Sequence, residues 1–129
     1  MDTVSVRMIV DDVAAAIAFW ERHAGLSVEM HPAPGFAMLS RGSLRLLLNR
    51  PGAGGAGAEA RDGTAPSPGG WTRVQVPTTD LDAAVTRLRA DGVTFRTDVV
   101  EGTGGRQVVV DDPAGNAVEF FEPADEQPN

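Results

Sequence analysis

Cysteine is missing from this chain of 129 residues. Its absence rules out disulfides, thiolate metal sites and thiol nucleophiles, so any chemistry must come from other groups. Nowhere do about 18 apolar residues run together, the least that a membrane-spanning helix needs. The opening MDTVSVRMIVDD has neither the basic stretch nor the apolar stretch of a secretory leader. The expectation is a soluble cytoplasmic protein with no membrane partner. Positive charge is also scarce: 11 Lys and Arg stand against 18 Asp and Glu, a formal net charge of -7. Proteins that bind nucleic acid present a basic patch or stripe that displaces condensed counterions, so no nucleic-acid partner is expected. The acidic excess reads as a solubility feature, with Asp125 and Glu126 in a polar tail that frays.

What is present fits one domain, 1–129, large enough to bury a core without staples. Val4, Val6, Met8 and Val10 alternate with Ser5, Arg7 and Ile9, the period of a strand with two faces. Asp11 or Asp12 then caps VAAAIAFWERHAG, where Val13, Ala16, Ile17 and Trp20 recur at helical spacing and Gly25 ends the helix. SVEMHP, GFAMLS and SLRLLLN follow as three strand-like runs, separated by turn signals at Pro34-Gly35 and Arg41-Gly42. Residues 1–50 therefore read as one βαβββ module.

Residues 51–70 hold seven Gly, three Pro and five Ala, too little large apolar surface to offset ordering entropy, and read as a flexible linker. No Gly-Lys-Ser/Thr follows them, so they make no phosphate loop. The pattern restarts in 71–123. WTRVQVP is strand-like, and TTDLDAAVTRLRADG is a capped helix with Leu81, Ala84, Val85 and Leu88 inward and Gly92 closing it. TFRTDVV, RQVVVDD and NAVEFFEP supply three strands, with GTGG and DPAGN as turns. Residues 124–129 form a tail. Asp12 to Gly25 and Asp80 to Gly92 are nearly equal spans, and one helix covers only one face of a short sheet, so two modules must pair in an α+β fold.

Through DDVAAAIAFWERHAGL, TDLDAAVTRLRADGV and DDPAGNAVEFFEP, the chain resembles the vicinal oxygen chelate (glyoxalase/bleomycin resistance protein/dioxygenase) superfamily. Only 51–70 and the tail fall outside the resemblance, and DPAGN followed by Val118 and Glu119 is its most specific part. The resemblance implies two tandem βαβββ modules curving into an incomplete barrel around a cavity, and a homodimer. Metal-dependent members place ligands on the first and last strands of each module. Counting seven residues back from Asp12 and Asp80 gives Ser5 and Arg73, and aligning on Pro51 and Pro123 gives Leu47 and Glu119. Of the four, only Glu119 suits a cation. Arg73 is a fixed positive charge whose planar fork suits a carboxylate, so the expectation is an Arg73–Glu119 pair in place of a metal, and no cofactor.

Strand alternation nominates a ligand-binding lining: Ser5 and Arg7 with Ile9; Arg45, Leu47 and Asn49; Trp71, Arg73 and Gln75; Glu119 and Phe121; and Phe36 with Met38. Directional polar groups among aromatic and apolar ones suit a flat organic ligand, while Phe36, Met38 and Phe121 read equally well as core. Trp20 reads as core and His23 and His31 as solvated histidines. Asp111 and Asp112 read as turn formers before Pro113, and GTGGRQ as a hairpin turn rather than an anion nest. Ser5 has no identifiable base. The sequence favours a metal-free protein that holds a small organic molecule, like the bleomycin-resistance and other drug-sequestering members. The alternative is a glyoxalase- or dioxygenase-like enzyme, with a divalent metal or with Glu119 as base, a role in which an adjacent arginine makes the carboxylate weaker.

Overall fold

The computed structural model describes residues 2–124, and the tail around Asp125 and Glu126 lies outside them. Two compact units emerge. One runs to Gly69 and takes in Pro113–Asn116, and the other holds Gly70–Asp112 and the residues from Ala117 onward. Unit one contains β1 (Ser5–Ile9), α1 (Val13–Ala24), β2 (Ser27–Ala33), β3 (Phe36–Arg41) and β4 (Leu44–Asn49). Unit two contains β5 (Val74–Pro77), α2 (Leu81–Ala90), β6 (Val100–Gly102), β7 (Gly105–Asp111) and β8 (Ala117–Pro123). Each unit is one βαβββ module. The sheets have the orders β1-β4-β3-β2 and β5-β8-β7-β6, with the first strand of each parallel to the last and the remaining pairs antiparallel. A parallel pair needs a long crossover, and the helix with two strands supplies it.

Both helices start in the same way. The Asp12 carboxylate accepts from the Ala15 N–H at 3.0 Å, and the Asp80 carboxylate from the Ala83 N–H at 3.0 Å, each satisfying a donor that the first turn leaves unpaired. At the other end Gly25 takes φ 69° and its N–H reaches the Trp20 carbonyl, the left-handed stop that a side chain disfavours. Buried Val13, Ala16, Phe19, Trp20 and Ala24 form one stripe of α1, and Leu81, Ala84 and Leu88 one stripe of α2. Ile17 and Val85, expected inward, are half-buried at the margins, while Phe19 joins the core and meets Trp20 edge to face at 5.7 Å. Under α1 lie Ala37, Leu39, Leu46 and Leu48; in unit two Val76, Val108, Val110, Val118 and Phe120 are the buried sheet positions.

One expected strand departs from TFRTDVV. Phe95 makes a single bridge to Val110, and regular pairing resumes only at β6, where Val100 faces Gln107. Between them the Thr97 hydroxyl accepts from the Val109 N–H at 3.1 Å, so a side chain replaces the backbone acceptor and interrupts the ladder. Residues 51–70 carry a short 3-10 turn at Gly55–Gly57 and a bond from the Gly52 N–H to the Gly57 carbonyl at 2.8 Å. Glycine is required at 57, since a Cβ there would stand 2.5 Å from the Arg50 carbonyl oxygen.

Pro113–Asn116 belong by sequence to the second module but cluster with unit one. The Asn116 side chain, 6 % exposed, donates to the Ile9 carbonyl at 2.8 Å and accepts from the Gly69 N–H at 2.8 Å. Those two bonds tie the DPAGN turn to the end of β1.

Candidate functional site

In unit two, β5 and β8 run in parallel with Val74 opposite Val118, Gln75 opposite Glu119, Val76 opposite Phe120 and Pro77 opposite Phe121. Side chains of a strand alternate between faces, so Val76, Val118 and Phe120 fill the buried side while Gln75, Glu119 and Phe121 share the other. Val109 faces Glu119 from β7 and belongs to that second face as well. Arg73 stands immediately before β5. Its Nε donates to Glu119 Oε1 at 2.9 Å, and Gln75 Nε2 donates to Glu119 Oε2 at 2.7 Å. The Glu119 side chain is 8 % exposed and that of Arg73 27 %. A nearly buried carboxylate thus has both oxygens engaged, one of them by a permanent cation. Burial of a charge without such partners would be strongly unfavourable.

Unit one gathers its nominated residues on one face too. Ser5 is opposite Arg45 and Arg7 opposite Leu47, while Phe36 is opposite Asn49 and Met38 opposite Leu47. Ser5, Phe36, Met38, Arg45 and Leu47 are half-buried, Arg7 is exposed and Asn49 is buried. Arg7 Nη1 donates to Asn49 Oδ1. This face is polar at one end and apolar through Leu47, Met38 and Phe36.

Trp71 departs from the strand expectation. It precedes β5 by three residues, is 61 % exposed, and lies 4.6 Å from the Arg96 guanidinium in a cation–π contact. Arg96 is in turn held by Asp111 Oδ1 at 2.5 Å and the Gly70 carbonyl at 2.6 Å. Asp111, read from sequence as a turn former, is therefore an ion-pair partner at the end of β7. GTGGRQ makes the expected hairpin, with Gly102 opposite Gly105. His31 is exposed, whereas His23 is half-buried with its ring 5.2 Å from that of Phe19; a histidine one turn beyond a phenylalanine packs on it. Neither the Asp111–Arg96–Trp71 chain nor the Asn116 tether was singled out from sequence. The exposed tryptophan after two glycines and the asparagine of DPAGN were the only signals.

Metal-dependent members of the superfamily that the chain resembles carry ligands at four positions. In unit one these positions hold Ser5 and Leu47, and Leu47 has no donor atom. In unit two Glu119 already receives hydrogen bonds on both oxygens, and the guanidinium on one of them would repel a divalent cation. These residues do not fit a metal. Among the described residues no group of three His, Cys, Asp or Glu is placed to hold one anywhere else.

Two open depressions belong wholly to unit one. The first, about 620 Å³, is lined by Asp11, Asp12, His31 and Arg50 among others. The second, about 480 Å³, is lined by Phe36, Asn49, Arg50 and Ala53 with neighbouring small residues. Among the described residues no helix is long and apolar enough to cross a membrane.

Two βαβββ modules, each with a four-stranded sheet whose first strand is parallel to its last, define the class. The chain belongs to the Glyoxalase/Bleomycin resistance protein/Dioxygenase superfamily, whose family model matches residues 3–120. A superfamily member from Sphaerobacter thermophilus is similar in structure at 26 % identity and TM-score 0.71, covering 95 % of this chain and 97 % of that one. A lactoylglutathione lyase from Agrobacterium tumefaciens is similar at 24 % identity and TM-score 0.69, covering 94 % and 92 %. An antibiotic binding protein from Streptomyces is similar at 21 % identity and TM-score 0.68, covering 96 % and 97 %. No curated protein matches the sequence.

Proposed function

We propose that this chain is a metal-independent binding protein for a small organic molecule, of the drug-sequestering kind. The observation that carries the reading is the Glu119 carboxylate, whose two oxygens are occupied by Arg73 and Gln75. A carboxylate with both oxygens so engaged is poorly placed to ligate a cation or to receive a proton from a bound molecule. Sequestration asks only for complementary surface, and both of these partly buried sheet faces mix aromatic, apolar and directional polar groups. The fold does not choose between functions, since a lyase and a binding protein share it. The choice rests on the residues. We place the protein in the cytoplasm as a homodimer, for which light scattering on a sizing column is the check; a monomer at working concentration counts against it.

The deciding experiment is elemental analysis of the purified protein together with native mass spectrometry. The expected result is no stoichiometric metal and saturable uptake of an organic ligand without turnover. Stoichiometric divalent metal whose removal abolishes an activity would replace this reading with a glyoxalase- or dioxygenase-like enzyme. Arg73→His, which exchanges the fixed cation for a donor beside Glu119, is expected to raise affinity for zinc.

A further inference from the structure

Glu119 engages Arg73 through Nε alone, and among the described residues the outer edge of the guanidinium, Nη1 and Nη2, has no partner. Guanidinium donors form a flat fork, and the Nη1/Nη2 edge presents two parallel N–H groups at the spacing of a carboxylate's oxygens. Holding the cation side-on by a nearly buried carboxylate fixes the plane of that fork without consuming the edge. The Arg73 side chain as a whole is 27 % exposed, so it is not sealed from solvent. Gln75, exposed next to it, spends one amide N–H on Glu119 and has a second. A binding edge has been oriented and left open.

The rest of the face narrows what would fill it. Its ionised groups are Arg73 and Glu119, with Asp111 paired to Arg96, two cations against two carboxylates. A monoanion on the open edge adds one negative charge to a neutral set. A dianion adds two beside a nearly buried carboxylate, which the repulsion of like charges disfavours. Along the strands Phe121 lies one row beyond Glu119. At the opposite row Asp111 holds Arg96, on which the exposed Trp71 ring is stacked. Val109 and Ala117 are buried, so the accessible part of the face runs along β5, where Gln75 is exposed.

We propose that this face of unit two binds a planar organic monocarboxylate, its carboxylate on the Nη1/Nη2 edge of Arg73 and its flat apolar body along β5, over the exposed Gln75 toward the half-buried Phe121. The inference rests on the reading of the chain as a small-molecule binder and gives that molecule a chemistry. Benzoate, benzamide and phenyl phosphate share a ring and differ in the group offered to Arg73, so titrating each while following backbone and arginine side-chain NMR signals is the test. Benzoate is expected to bind about 10- to 100-fold tighter than benzamide, the worth of one charge-assisted contact, to move the Arg73 Nε–H signal, and to bind at least as tightly as phenyl phosphate. Arg73→Lys, which keeps the charge and loses the fork, is expected to forfeit most of the preference. The double variant Arg73→Gln with Glu119→Gln is expected to forfeit all of it; should that protein not fold, the lysine variant decides. Equal binding of benzoate and benzamide would leave the small-molecule reading standing and end this one. Tighter binding of phenyl phosphate would end it in favour of a dianion. No response to any of the three would end it as well, with the metal analysis described above ruling separately on the broader reading.

Discussion

Unit one and unit two repeat a strand order, a capping aspartate and a parallel first-to-last strand pair, yet the second faces of their sheets differ in charge. The buried faces are interchangeable in kind: Leu46 and Leu48 lie under α1 as Val118 and Phe120 lie on the buried side of unit two. The outward face of unit one pairs Arg7 with the neutral Asn49, while that of unit two pairs Arg73 with the ionised Glu119. A duplicated module constrains only what it must bury. The other face, only partly buried, differs residue by residue, and among the described residues one module carries the arginine–carboxylate clamp and the other does not.

The largest effects should fall on neighbours pointing opposite ways. Phe120→Ala, at 1 % exposure, is expected to cost about 3–5 kcal/mol in urea unfolding, the transfer and cavity cost of a buried phenylalanine. Phe121→Ala, half-buried on the outward face, should cost less than half of that. In unit one Leu48→Ala, fully buried, should cost about 2–5 kcal/mol, and Leu47→Ala distinctly less. Equal losses within either pair would mean that both faces are core, and the division of labour between them would fail.

Next in size is the contrast between the two arginines. Arg73→Ala leaves Glu119, nearly buried, with Gln75 as its remaining partner, an expected loss of about 1–3 kcal/mol for an under-satisfied buried group. Arg7 is exposed and its partner is neutral, so Arg7→Ala should cost under about 1 kcal/mol. A double-mutant cycle of Arg73→Ala with Glu119→Gln sharpens this. A coupling energy near zero would show that the clamp is not held in solution.

Where the units agree, they should respond alike. Asp12→Ala and Asp80→Ala each remove a carboxylate that accepts from an N–H three residues on, and each is expected to cost about 1 kcal/mol. Thermal or urea unfolding of the two variants checks this. A loss confined to one would show that only one helix depends on its cap.

Most of this frame was legible in the sequence because it is local. Caps at Asp12 and Asp80, stops at Gly25 and Gly92 and the alternation through β1 and β8 need only neighbours a few residues away. The Arg73–Glu119 contact was legible for another reason: repetition of the module let Asp12 and Asp80 fix one position, Arg73, and Pro51 and Pro123 the other, Glu119, which the resemblance puts on the first and last strands of the second module. What escaped depended on partners far apart in the chain. Nothing near Asp111 announces Arg96, and nothing near Asn116 announces the Ile9 carbonyl 107 residues away in sequence. The break in TFRTDVV escaped because its cause is a single hydroxyl, that of Thr97, taking a backbone's place.

The smallest effect tests the segment that joins the modules, whose composition argues for mobility while its hydrogen bonds describe turns. Asp62 Oδ1 accepts from the Thr64 N–H at 2.9 Å, and the side-chain and backbone bonds of Thr64 together hold the Asp62 carboxyl below its ordinary value of 3.8. A carboxylate with a depressed value favours the folded form fully above its unfolded value and loses that contribution as pH falls through the folded one. Any stabilisation from this contact therefore disappears below about pH 3.8 and nowhere else. Because the group is on the surface, its signature is sought in its own titration rather than in global stability. An NMR pH titration of the Asp62 carboxyl should show a midpoint below that of the unfolded chain, and Thr64→Val should move it back upward. A midpoint at the ordinary value in the parent protein would mean that the turn is averaged away and that the connecting segment, unlike either module, has no fixed structure.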